Sequence, residues 1–302
     1  MSTESITTYM FHYIKNPRKN ALTNLNYFDS EKFFSFVEKN KEHIFCHTNI
    51  NKLILSPEDL DKSKKILLTF DDGLKEHYEE AYQVLKFFKV SGIFFINSNN
   101  IITGKMDTVH KVHFLYGKLG WKKVINLILK ECKQHSIKID KYFEEDKAKK
   151  SYPLDKNEVA NIKFALNYNL EPEIRDKLIN KIFEKNRGVF LEHEFYLSRE
   201  NITKMSENKM IFGFHGHEHI PFSNLDDTEL ESSILKQKKF FSELNLENCS
   251  VLSFPYGDHS SYNRGNLDIL KKIGVTVAFT ADHHTTIKHP LTILKRTDCA
   301  VL

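Results

Sequence analysis

Two adjacent carboxylates and two histidines four residues apart are the groups in this chain best suited to chemistry. Asp71 and Asp72 end the string Thr69-Phe70-Asp71-Asp72-Gly73, directly after an apolar run that begins at Ile66. His215 and His219 bound the string His215-Gly216-His217-Glu218-His219, which follows the apolar residues 210–214. One carboxylate with two imidazoles is a common ligand set for a catalytic zinc, with positions left for water or substrate. Asp72 is the ligand in this reading, and Asp71 beside it is free to act as a base. If the second string turns helically, His215 and His219 share a face and reach one ion, while His217 points to solvent or supports them. A third string, Phe254-Pro255-Tyr256-Gly257, makes a tight turn that can aim a backbone N–H at a developing oxyanion. Each string also has a plainer reading. The acids could cap a helix starting near Leu74, the histidines could belong to a polar turn, and Pro-Tyr-Gly could be an ordinary turn.

The elements around these strings favour the chemical reading, because each string follows a strand-like run. Strand-like and helix-like segments alternate, which indicates an α/β fold. Strands are expected over residues 7–14, 65–70, 92–96, 210–214, 251–254 and 275–279. Helices are expected around Phe33–Val37 and over residues 74–88, 228–244 and 266–273. In the second of these, Leu74, Tyr78, Ala81, Leu85 and Phe88 fall on one face of a 3.6-residue period. From residue 101 to 195 the periodicity is helical and no strand is legible. Trp121, Val124, Leu127 and Ile128 fit one amphipathic helix, Leu178, Ile179, Ile182 and Phe183 another, and Pro153 with the charged residues 144–150 marks a loop or break. Trp121 reads as helix-packing core before it reads as a sugar-stacking platform.

Composition narrows the classes. The chain has 302 residues, 40% hydrophobic and 28% charged, with a formal net charge of +4, as expected of an ordinary globular protein. No basic block or stripe indicates a nucleic-acid partner, and no apolar run is long enough for a membrane span. The four cysteines are scattered with no CxxC pair and read as reduced thiols. The N-terminal residues 1–15 lack a basic segment followed by an apolar one, so a cytoplasmic location is expected.

Taken together and in order, the strings resemble the polysaccharide deacetylase family, the NodB-homology carbohydrate esterases. Tyr9-Met10-Phe11-His12-Tyr13 is also similar to the first strand of one family branch. The resemblance implies a distorted (β/α) barrel of the NodB-homology type, built from residues 1–100 and 196–302. Residues 101–195 are then a helical insertion acting as a lid or an oligomer interface, and its apolar surfaces would suit a homodimer. It also implies roles: Asp72, His215 and His219 bind a divalent metal, Asp71 is the general base, and the Tyr256 N–H helps hold the oxyanion. The metal is zinc first, with cobalt, nickel or manganese as alternatives.

Three departures from the family pattern stand out. Gly216 occupies a place usually held by Ser or Thr. Ser253 stands where an arginine often precedes the Pro-Tyr-Gly turn, which makes Arg296 the candidate to orient Asp71. The usual Leu-x-His motif of the general acid is missing, leaving His283 or His284, with His12 as a further choice.

The expected activity is metal-dependent removal of an N-acetyl group, before an O-acetyl group, from a sugar or glycan precursor in surface polysaccharide biosynthesis. The expected partner is an acetylated sugar, sugar nucleotide or lipid-linked glycan precursor. The alternatives are an amidohydrolase acting on a small non-sugar substrate and a carbohydrate-binding protein with a degenerate site.

Overall fold

The structure is a computed structural model that describes residues 6–16, 22–56, 63, 65–246, 249–258, 260–281, 289–299 and 302. In chain order the elements begin with β1 (Thr7–Phe11), β2 (Ile14–Lys15), β3 (Phe28–Asp29), α1 (Ser30–Asn40), α2 (His47–Leu55) and β4 (Ile66–Phe70). A π-helical turn (His77–Ala81) then leads into α3 (Tyr82–Phe88), β5 (Ile93–Ile96) and α4 (Ser98–Thr103). A run of helices follows: α5 (Thr108–Leu119), α6 (Trp121–Gln134), α7 (Glu145–Ser151), α8 (Asn157–Phe164) and α9 (Pro172–Asn186). The chain finishes through α10 (Arg199–Glu207), β6 (Ile211–Phe214), α11 (Asp227–Ser242), β7 (Val251–Ser253), α12 (Arg264–Lys272), β8 (Val277–Thr280), β9 (Thr292–Lys295) and β10 (Thr297–Asp298).

Two compact units result. The first contains all ten strands, and the second runs Met106–Glu192 together with the segment around Leu22 and Leu25. In the second unit Asn24 donates its backbone N–H to the Gly117 carbonyl at 3.1 Å, and a β-carbon at Gly117 would strike Leu22. That unit is helical, with no strand among its described residues. Trp121 stacks on Tyr116 with centroids 4.7 Å apart. The break expected over residues 144–150 is instead α7, where Glu145 and Asp146 in the first turn and Lys149 and Lys150 in the last complement the helix dipole. No described helix is long and apolar enough to cross a membrane.

In the first unit, strands run parallel in the order β10-β1-β4-β5-β6-β7-β8-β9. The two ends of that order, β9 and β10, are successive stretches of one chain separated only by Arg296. Strand β9 pairs with β8 and β10 pairs with β1, so the sheet curls into a nearly closed barrel. Because strand side chains alternate, Leu67, Ile93, Phe95, Val251, Val277, Phe279 and Leu294 form one cluster inside the barrel, joined by Phe45, Ile50 and Leu53 from α2 and its approach. The alternate set, including Leu68, Phe70, Phe94, Phe212, Phe214 and Leu252, packs outward against the helices. Burial on both faces explains why these strands read as continuous apolar runs. Gly213 is required inside: a β-carbon there would lie 2.4 Å from the Phe95 ring.

In the first unit two of the expected elements are altered, and α2, β3, β9 and β10 are elements the sequence reading did not include. The strand expected over residues 7–14 breaks at His12 and Tyr13, and its second part pairs with β3. The helix expected from Leu74 starts later, because Leu74 bridges Tyr196 and Lys75 donates to the Phe195 carbonyl. It then passes through the π-helical turn before becoming regular in α3.

Candidate metal centre

Inward parity carries polar residues to the C-terminal mouth of the barrel, the end at which (β/α) barrels build active sites. Thr69 and Asp71 continue the inward row of β4, His215 that of β6, Ser253 that of β7, and Arg296 that of β9. Asp72 leaves the row because the chain turns sharply there, with φ of 78° at Asp72 and 64° at Gly73. Gly73 has no room for a side chain, since a β-carbon would lie 2.9 Å from Ile96 Cγ2. The turn is held from outside by the Leu197 N–H, which donates to the Gly73 carbonyl at 2.8 Å. Adjacent acids therefore face different partners.

Asp71 faces Arg296. Nη1 donates to Oδ1 and Nη2 to Oδ2, each at 2.7 Å, while Arg296 also donates to Ser253 Oγ at 2.8 Å and Thr69 Oγ1 at 3.3 Å. Ser253 Oγ in turn donates to Asp71 Oδ2 at 3.1 Å. Arg296 is 1% exposed and Asp71 2%, so this ion pair is fully buried and its charges must be satisfied within the barrel. Burial alone would raise the Asp71 pKa. The charge of Arg296, then His215, the Arg296 hydrogen bonds and His12 outweigh it and hold the carboxyl at about 2.

Asp72 faces the histidines. Its Oδ1 lies 3.4 Å from His215 Nε2 and 3.3 Å from His219 Nε2, and the two rings are 4.9 Å apart. The three ligand atoms fall within 4.8 Å of one another, all on buried residues. His215 Nδ1 bonds the Ser253 carbonyl at 2.8 Å, which fixes that ring with Nε2 toward the acids, the orientation a metal-ligating histidine takes. Burial would lower the His215 pKa, but the charge of Asp71, the hydrogen bond and charge of Asp72, and the Ser253 carbonyl together raise it. This donor set fits a divalent transition metal.

The loop carrying the histidines is tied to its neighbours. Asn97 Nδ2 donates to the His215 carbonyl at 2.6 Å, the His217 N–H donates to Ser233 Oγ of α11 at 2.9 Å, and His217 Nδ1 meets Ser98 Oγ at 2.7 Å. His217 is thus a half-buried support of the loop. Left-handed backbone recurs here at Asp72, His219 (φ 53°) and Tyr256 (φ 66°), an uncommon and costly conformation that concentrates at functional sites. The Tyr256 ring stacks on His219 with centroids 4.9 Å apart. His12 directly follows β1 at the same mouth, next to the backbone bond from the Asp71 N–H to the Phe11 carbonyl (2.9 Å). His283 and His284 lie outside the described residues.

Sequence reading missed Asn97, Thr69 and His77, and it saw Ser253 only as a departure. The usable signal was parity: Asn97 follows Ile93 and Phe95 at spacing two, and His77 falls on the apolar stripe of its helix, three residues after Leu74.

The sequence profile of the polysaccharide deacetylase family matches residues 59–278. A comparison with curated proteins gives no match. Among solved structures, the chain is similar to the deacetylase PplD of Streptococcus pyogenes in complex with acetate, at TM-score 0.57 and 14% identity over 97% of this chain and 91% of that one. It is also similar to IcaB from Ammonifex degensii, at 0.54 and 13% over 97% and 90%. A third is the BpsB deacetylase domain from Bordetella bronchiseptica, at 0.54 and 11% over 98% and 96%. At these identities the likeness is one of fold.

Proposed function

The chain belongs to the polysaccharide deacetylase family, and from that premise we propose that it is a metal-dependent hydrolase removing an N-acetyl group from an amino sugar of a surface polysaccharide or its precursor. The observation that carries this reading is the convergence of Asp72, His215 and His219 beside a second, ionised carboxylate that has its own arginine.

Asp72, His215 and His219 would hold the ion. When bound, a divalent ion supplies Lewis acidity that polarises a carbonyl and makes water more acidic. The remaining work falls to the chain. Asp71, kept ionised by Arg296 and aligned by Ser253, accepts the proton of the attacking water. The Pro-Tyr-Gly turn offers the Tyr256 N–H to the oxyanion formed at the acetyl carbon. When the C–N bond breaks, the departing amine takes up a proton, and acetate is the other product. His12, whose charge acts on Asp71, is the candidate among the described residues to donate that proton, and His283 and His284 are the other choices.

The test is metal content by mass spectrometry on wild type and on the His215→Ala/His219→Ala protein, followed by acetate release from an N-acetylglucosamine tetrasaccharide. Bound transition metal in wild type, lost in the double variant together with acetate release, is the expected result. A wild type that takes up neither zinc nor cobalt on reconstitution would overturn the mechanism.

A further inference from the structure

Beside the reacting groups lies a histidine that the reaction itself does not use. His77 opens the π-helical turn and is fully buried, its ring 5.6 Å from Phe70 and 5.9 Å from Phe94 between centroids. Burial pushes its pKa down to about 4, so at neutral pH the ring is uncharged and carries one N–H. Nε2 lies 2.7 Å from the His12 carbonyl, which can only accept, so the proton is on Nε2. Nδ1 has no hydrogen-bond partner among the described residues. A phenylalanine would fill this aromatic slot without stranding a nitrogen. What the histidine adds is therefore the single bond to His12.

That bond acts where β1 ends. Three successive carbonyls are each held by a different donor: Phe11 by the Asp71 N–H, His12 by His77, and Tyr13 by the Phe28 N–H at 2.8 Å. The middle one is the only one of the three held by a side chain. We propose that His77 is a positioning residue, whose Nε2–H fixes the His12 backbone and thereby the place of the His12 imidazole relative to Asp71. The proposal rests on the deacetylase reading for its catalytic consequence, but its structural content is independent of it.

The test uses His77→Phe, which keeps the ring and removes the donor, and His77→Gln, whose side-chain nitrogen can take the place of Nε2. Nitrogen-15 NMR of histidine-labelled protein is the first readout. In wild type His77 is expected as the neutral Nε2–H tautomer, and His77→Phe is expected to shift the His12 ring signals while His77→Gln restores them. The second readout is acetate release from the N-acetylglucosamine tetrasaccharide by the metal-loaded protein, because its amine leaving group needs the proton an aryl ester would not. His77→Phe should lower kcat by about 10- to 100-fold, the scale of an ångström-level misplacement, with KM and metal content unchanged, and His77→Gln should recover most of it. His12 signals unmoved by His77→Phe would overturn the proposal. So would a kcat loss that tracks lost metal and lost stability and that glutamine does not rescue. A wild type inactive on every acetylated probe would instead sink the deacetylase reading, and the NMR comparison would still decide the role of His77.

Discussion

Arg296 grips Asp71 with both guanidinium prongs, Nη1 on Oδ1 and Nη2 on Oδ2, each at 2.7 Å. Arg296 is also the residue at which the chain passes from pairing with β8 to pairing with β1. Closing the barrel and orienting the candidate base are therefore one event. The small Ser253 makes this geometry workable, since its hydroxyl accepts from the arginine and donates to the aspartate without filling the space between.

Arg296→Met should destabilise the fold by about 3–5 kcal/mol at neutral pH, because it strands a buried carboxylate. The Asp71 pKa is depressed to about 2 in the fold. Its stabilising contribution is thus complete above the ordinary carboxyl range and is lost as pH falls toward that value. Urea denaturation of the two proteins should show the gap widest near neutrality and narrowing in acid. A gap independent of pH would contradict the pairing.

Asp71→Asn should leave metal content unchanged and reduce acetate release by about 10²–10⁴-fold, the usual worth of a positioned general base. Asp72→Asn should impair both. Metal analysis and acetate assays on the same preparations separate the two carboxylates. Wild-type turnover in Asp71→Asn would remove it from the reaction.

Gly216→Thr would restore a hydroxyl residue of the kind usual in the family at that place, and it should make this protein worse. Gly216 has φ of 73°, and a β-carbon would sit 3.2 Å from Pro255 Cγ and 3.3 Å from Phe222 Cε1. Left-handed backbone costs a residue with a β-carbon about 1–2 kcal/mol. Since Gly216 adjoins His215, the urea midpoint and the zinc affinity should fall together.

His77 gives the fold a dependence on pH of its own. Its pKa is lowered to about 4 by burial, so below the ordinary histidine range the unfolded chain gains a proton that the fold refuses. The stability it confers is complete above that range and is lost as pH falls to about 4, a change of about 3 kcal/mol. His77→Phe should remove that slope whatever its offset. Denaturation curves at several pH values, subtracted from wild type, report it directly.

The strings of the candidate site were legible in the sequence because each is local. Adjacent acids after an apolar run, an i, i+4 histidine pair and a Pro-Tyr-Gly turn each announce themselves within a few residues. Six of the strands were legible too, since burial on both faces writes them as apolar runs, although the first broke early; β3, β9 and β10, largely half-buried or exposed, were not. What the sequence alone determined is therefore which residue types reach the barrel mouth and in what order. The tertiary structure alone decided which of them meet. The pairing of Arg296 with Asp71, the support of the His215 loop by Asn97 and Ser233, and the bond from His77 to His12 all join residues remote in the chain. The break of the first strand at His12 and the π-helical turn at His77 follow from such contacts rather than from propensity. The helix α7 escaped notice for a related reason: a short run of opposite charges reads as a loop until its acids and lysines fall at opposite ends of one helix. Local pattern fixes elements, while closure of the sheet fixes neighbours, and the candidate site is made of neighbours.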